Sequence, residues 1–125
     1  MSAVIFLSSD MLFSSRVLGA GQALGVKCQV VSTSGQIAAA VDENCRLVLI
    51  DLGMASLDLT AAVAAIRASA PTAKIVAFGP HVDEALLESG RAAGCDLVLP
   101  RSQFHKQYVD LLRVAAGPGD SPRQA

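Results

Sequence analysis

"LVLIDLGMASLDLTAAVAAIR", Leu47 to Arg67, carries an unbroken apolar run into an aspartate, a glycine turn, and then apolar residues at helical spacing. Leu47–Ile50 is too short for a helix and shows no polar alternation, which predicts a strand covered on both faces. From Asp58 the period changes. Leu59, Ala62, Val63 and Ile66 fall on one face of a helix that runs to Ser69, with Asp58 at its start and Pro71 at its end. A buried strand feeding a helix through a short loop is half of a parallel crossover unit, and the same unit recurs on either side.

Upstream, Ala3–Leu7 reads as a strand, and "SSD" offers caps for a helix from Met11 to Leu24 that Gly25 closes. Lys27–Val31 is a second strand, followed by a helix capped at Thr33 or Ser34 that carries "GQIAAAVDE". Downstream come a strand over Lys74–Phe78, a helix over Val82–Ala93, a short strand over Leu97–Leu99 and a last helix over Gln103–Ala116. Five βα units predict an α/β fold, a doubly wound parallel sheet with helices on both faces, because each crossover returns right-handed. The expected domain covers residues 1–116. The segment "GPGDSPRQA", residues 117–125, is expected to be a flexible tail.

Composition agrees with a single globular domain: 125 residues, 52% hydrophobic and 17% charged. A net charge of −1 gives no electrostatic case for nucleic acid or an acidic membrane. No apolar run approaches the roughly 20 residues that span a bilayer. "MSAVIFLSSD" lacks the basic start of a signal peptide and reads as the first strand. The three cysteines, Cys28, Cys45 and Cys95, show no C-x-x-C spacing, which suits reduced thiols and a cytoplasmic setting. "GAGQALG", Gly19 to Gly25, has the wrong spacing and place for a dinucleotide loop; its glycines are expected to admit a close neighbour.

Open parallel sheets place their sites outside the carboxyl ends of the strands. Here those ends gather Ser8, Ser9 and Asp10, then Asp51, then Gly79, Pro80 and His81, then Pro100, Arg101 and Ser102. The most specific spacing lies in two stretches, Asp51 to Arg67 and "AAGCDLVLPRS" with its Gly94 and Asp96.

Over about residues 3–115 the chain resembles the response-regulator receiver domain of two-component signalling. Asp51, Met54, Asp58, Ile66 and Arg67 match that family's phosphoacceptor segment without a gap, with Ala55 in place of its proline and Leu59 in place of its glycine. Gly94 and Asp96 match the family's later Ala-Gly-Ala-Asp run. The resemblance implies a flavodoxin-like (βα)5 fold with strand order 2-1-3-4-5, and it makes Asp51 the phosphoacceptor position.

Around that aspartate the chain departs from the family. Receivers place two consecutive acidic residues after the first strand to hold magnesium; here Ser8 and Ser9 stand there, and only the following Asp10 is acidic. Gly79 replaces the hydroxyl residue that reports phosphorylation, Arg101 replaces the lysine, and Val98 the aromatic switch residue. A magnesium site built from Asp10 and Asp51 alone is expected to be weak, since that ion dehydrates reluctantly and serines bring no charge. Arg101 is expected to pair with Asp51 and hold this edge of the sheet in one arrangement.

The expected function is therefore signal transduction, not enzymatic catalysis. The chain reads as a single-domain atypical receiver that works by protein–protein interaction through about residues 82–114, with no cofactor required. A conventional response regulator phosphorylated on Asp51 by a histidine kinase is the alternative. A third reading is a small-ligand sensor using the same crevice, with His81 at its rim.

Overall fold

The computed structural model describes residues 2–116. Strands and helices alternate: β1 (Val4–Leu7), α1 (Met11–Leu24), β2 (Cys28–Val31), α2 (Ser34–Ala40), β3 (Leu47–Asp51), α3 (Leu59–Ser69), β4 (Lys74–Gly79), α4 (Glu84–Ala92), β5 (Leu97–Pro100) and α5 (Arg101–Ala116). The strands form one parallel sheet in the order β2-β1-β3-β4-β5. This is the doubly wound, flavodoxin-like arrangement expected. The tail expected over residues 117–125 lies outside the described residues.

Side-chain alternation divides the core. Ile5, Leu7, Val48, Ile50, Ile75 and Ala77 point to the face covered by α2, α3 and α4, where they meet Ile37, Ile66 and Leu87. Val4, Phe6, Leu47, Leu49, Val76 and Phe78 point the other way, to Phe13 and Val17 of α1 and to Phe104 and Leu112 of α5. On that second face Phe78 stacks on Phe104 at 4.0 Å between ring centroids, with 6° between planes. Phe13 stands edge-on to both.

Local chemistry sets the element ends. The Asp10 carboxylate accepts from Phe13 N at 3.0 Å and caps α1, while Gly25, at φ 73°, closes it. Thr33 and Gln36 form a reciprocal capping box at α2. A Cβ on Gly21 would lie 2.4 Å from Cys28 Sγ, whereas one on Gly19 would meet nothing within 4 Å. Gly21 is thus the residue that lets α1 close on β2.

Several boundaries differ from expectation by a residue or more; α2 ends at Ala40, so Val41, Asp42 and Glu43, expected within it, lie beyond the helix. Asp51 is the last residue of β3 and is held in the sheet, not in the loop beyond it. Helix α4 starts after Asp83, whose carboxylate caps it through Leu86 N, so Val82 stays in the preceding turn and is 79% exposed. Helix α5 starts at Arg101 and not at Gln103. Pro100 is tolerated at the end of edge strand β5 because it owes no ladder hydrogen bond there, and the chain turns into the helix directly.

At the amino edge of the sheet, Asp96 Oδ2 accepts from Ile75 N at 2.7 Å and from Arg67 Nη2 at 2.9 Å. Arg67 also donates to Ala73 O at 2.8 Å, tying the end of α3 to the starts of β4 and β5. Burial opposes the Asp96 charge, but the Ile75 N–H and the Arg67 guanidinium outweigh it and hold the carboxyl below its ordinary 3.8. A depressed folded pKa contributes stability above the unfolded value, lost as pH falls through the folded one. Asp96→Asn keeps an acceptor for Ile75 N–H and is expected to flatten the acid limb of stability against pH below about 3.8, by a small amount because the pair is partly exposed. An acid limb unchanged in the variant would show that the clamp is screened away.

The three cysteines are free. Burial pushes each thiol up; for Cys95 burial and then the Asp96 charge, against the opposing Arg67 charge, carry it to about 11. They stay protonated near neutral pH and pack as small apolar groups. Among the described residues no helix is long and apolar enough to cross a membrane.

Candidate functional site

Parallel register brings Leu7 beside Ile50, Asp51 beside Phe78, and Gly79 beside Pro100. The residues just beyond these strand ends therefore converge at one edge, and Asp51 is at its centre, 5% exposed. A carboxylate so buried requires donors. Ser8 Oγ donates to Asp51 Oδ2 at 3.0 Å, Gly53 N to Oδ1 at 2.9 Å, and Arg101 Nη2 to Oδ1 at 3.2 Å.

Each donor has a structural reason. Ser8 continues the β1 ladder through its N–H to Val31 O, which turns its hydroxyl inward, and the same oxygen accepts from Asp10 N at 3.0 Å. Gly53 lies just past Asp51 in a tight turn closed by Met54 N to Asp51 O. A Cβ on Gly53 would lie 3.3 Å from Asp51 Oδ1 and 3.6 Å from Arg101 Nη2, so the glycine leaves room for the pair. Arg101 reaches Asp51 because α5 begins immediately at the sheet edge. Its guanidinium carbon lies 5.1 Å from the centroid of Phe78, a cation–π contact that helps to orient the fork.

The expected Arg101–Asp51 pair is thus present, with the arginine side chain 34% and the aspartate side chain 7% exposed. Ser8 is drawn into the site, whereas Ser9 is exposed. Asp10 is turned to capping α1 and makes no bond to Asp51. His81 lies exposed in the turn after β4, without a hydrogen bond or ion pair to this cluster. Gly79 is buried, yet a Cβ there would meet Leu86, Leu52 and Leu87 at 3.5–3.6 Å, ordinary contact distances. A side chain at this position is therefore not excluded at its first carbon. Sequence reasoning missed Gly53 and Phe78. A glycine two residues beyond a strand-end aspartate was the available signal for the first; nothing local marks the second.

No protein-family model and no curated protein matches the sequence. Solved structures do match its backbone. The BeF3-activated receiver domain of nitrogen regulatory protein C is 19% identical, covering 96% of this chain and 98% of that one, with a TM-score of 0.70. The receiver domain of a sensor histidine kinase from Pseudomonas aeruginosa, with a magnesium ion coordinated in its active site cleft, is 18% identical over 93% of this chain and 98% of that one, with a TM-score of 0.72. A response regulator receiver domain protein from Clostridium thermocellum is 12% identical, with coverage of 96% and 98% and a TM-score of 0.73. With five parallel strands in the order β2-β1-β3-β4-β5 and five helices, the chain has the fold of response-regulator receiver domains.

Proposed function

We propose that the chain is an atypical receiver that transduces a signal by binding another protein, with the Asp51 edge locked by an internal cation. The observation that carries this reading is the enclosure of the Asp51 carboxylate by Arg101, Ser8 and Gly53. Phosphoryl transfer to a carboxylate requires a free oxygen lone pair aimed at phosphorus and a cation bridging the phosphoryl oxygens. Here three donors occupy the carboxylate, two on Oδ1 and one on Oδ2, which leaves a single lone pair on Oδ2, and the nearby cation is paired with the acceptor itself.

The donor set fits magnesium poorly. Asp10 is engaged as a helix cap, the Ser8 hydroxyl donates its hydrogen bond to Asp51, and among the described residues no group of three or more acidic, His or Cys side chains is placed to hold a metal. An octahedral ion that gives up its water reluctantly needs more carboxylate charge than this. The docking surface of this reading is the stretch 82–114, comprising the turn with exposed Val82, α4, β5 and most of α5. The partner is a cytoplasmic signalling protein.

The test is incubation with magnesium and acetyl phosphate, then intact-protein mass spectrometry, with Asp51→Asn alongside. The expected result is no phosphoryl adduct above the level of the Asn variant. An adduct that forms on the native chain and disappears in Asp51→Asn would replace this reading with that of a conventional receiver phosphorylated by a histidine kinase.

A further inference from the structure

A second concavity lies behind Ser8, between α1 and the edge of β2. It has a volume of about 430 Å³, inside the roughly 300–1,000 Å³ range of small-molecule pockets. Its apolar wall is Met11, Leu18 and Val30; Ser14, Ser32 and Gln36 contribute polar groups. Two features point to an occupant. Ser14 is 7% exposed, and its hydroxyl makes no hydrogen bond within the described residues, a costly arrangement unless something else satisfies it. Met11 and Leu18, 82% and 41% exposed, are two of the large apolar side chains that the surface leaves uncovered, and both border this one cleft.

The lining defines the chemistry. It contains no acidic, basic or His side chain, so a charged ligand would lose its hydration without a counter-charge. Hydroxyls can both donate and accept, and Gln36, whose Oε1 is taken up by Ser32 N and Thr33 N, has its amide hydrogens to offer. We propose that this cleft binds a small uncharged ligand that joins an amide-like head, held at Ser14 and Gln36, to a short apolar chain lying on Met11, Leu18 and Val30. Ser8 forms a wall of the cleft and also donates to Asp51, so occupation is felt at the Asp51–Arg101 pair. The binding claim is independent of the function proposed above; only this coupling rests on it.

The test is an amide NMR titration of the whole chain with N-butylacetamide, with butyrate and butylammonium as charged controls. The expected result is a saturable shift at Met11, Ser14, Leu18 and Gln36, with a dissociation constant on the order of 1–10 mM for so small a probe, and a parallel shift of Gly53 N–H. Ser14→Ala, which removes an unsatisfied hydroxyl and should fold at least as well as the native chain, is expected to weaken the probe roughly tenfold. The proposal is overturned by the absence of saturation, by equal response to the charged controls, or by unchanged affinity in Ser14→Ala. Shifts at the same amides with protein concentration alone would overturn it in favour of a second copy of this chain. Saturable binding that leaves Gly53 unmoved would remove the coupling and leave the function of the Asp51 edge untouched.

Discussion

Phe104→Ala is expected to remove about 3–5 kcal/mol of stability, a large share of the roughly 5–15 kcal/mol that holds a domain together. Phe104 is fully buried, lies flat against Phe78 at 4.0 Å, and meets the Phe13 ring edge-on at 5.6 Å. Truncation strips the transfer energy of a whole ring and leaves a cavity among Phe6, Phe13 and Phe78, large rings whose strands and helix are fixed by the sheet. Collapse into that space is therefore incomplete. The consequence reaches the site, because the Phe78 ring that Phe104 supports is the plate beneath the Arg101 guanidinium. Urea unfolding gives the energy, and the Arg101 side-chain resonance gives the transmitted change. A loss below about 1 kcal/mol would mean that the stack is loosely packed and that α5 is held by other contacts.

Arg101→Gln is the second large effect, and its size depends on the groups that stay behind. Removing one partner of a buried ion pair costs about 3–5 kcal/mol when the remaining charge is wholly uncompensated. Ser8 and Gly53 still donate to Asp51, and the arginine side chain is 34% exposed. About 1–2 kcal/mol is the expected loss. Arg101→Lys should recover only part of it, since an ammonium restores the charge but neither the planar fork nor the flat contact with Phe78. Equal stability of Gln and Arg at this position would show that the pair contributes nothing net and that Ser8 and Gly53 alone keep the carboxylate in place.

The two motifs that carried the sequence resemblance have different physical jobs. Asp51 belongs to the carboxyl edge, where a site can form. Arg67 and Asp96, which lie far apart in the chain, bond to each other at the opposite edge and clamp α3 to the starts of β4 and β5. That part of the pattern reports the fold and not the chemistry. It explains how a chain can match the receiver outline while differing at the residues around its aspartate.

Most of the architecture was legible in the chain because its causes are local. Apolar runs of strand length, caps at Asp10, Thr33 and Asp58, and the left-handed Gly25 act within a few residues of themselves. Alternation of strand and helix then leaves few topologies open. Boundaries slipped where two neighbours compete, as at Pro100 and Arg101, where an edge strand passes into a helix without a loop. The state of Asp51 was decided elsewhere. Of its partners, Arg101, 50 residues after it, was expected from the resemblance, whereas the Ser8 hydroxyl as a donor, 43 residues before it, the Gly53 N–H and the Phe78 plate under the arginine were not. Composition and periodicity carry no record of such pairings, because they depend on the register between strands and on the angle at which α5 leaves the sheet. That a carboxylate would stand at the end of a buried central strand was written in the order of residues. Its enclosure arose from the folded arrangement, since burial forces a charge to find donors and the fold chooses which are within reach.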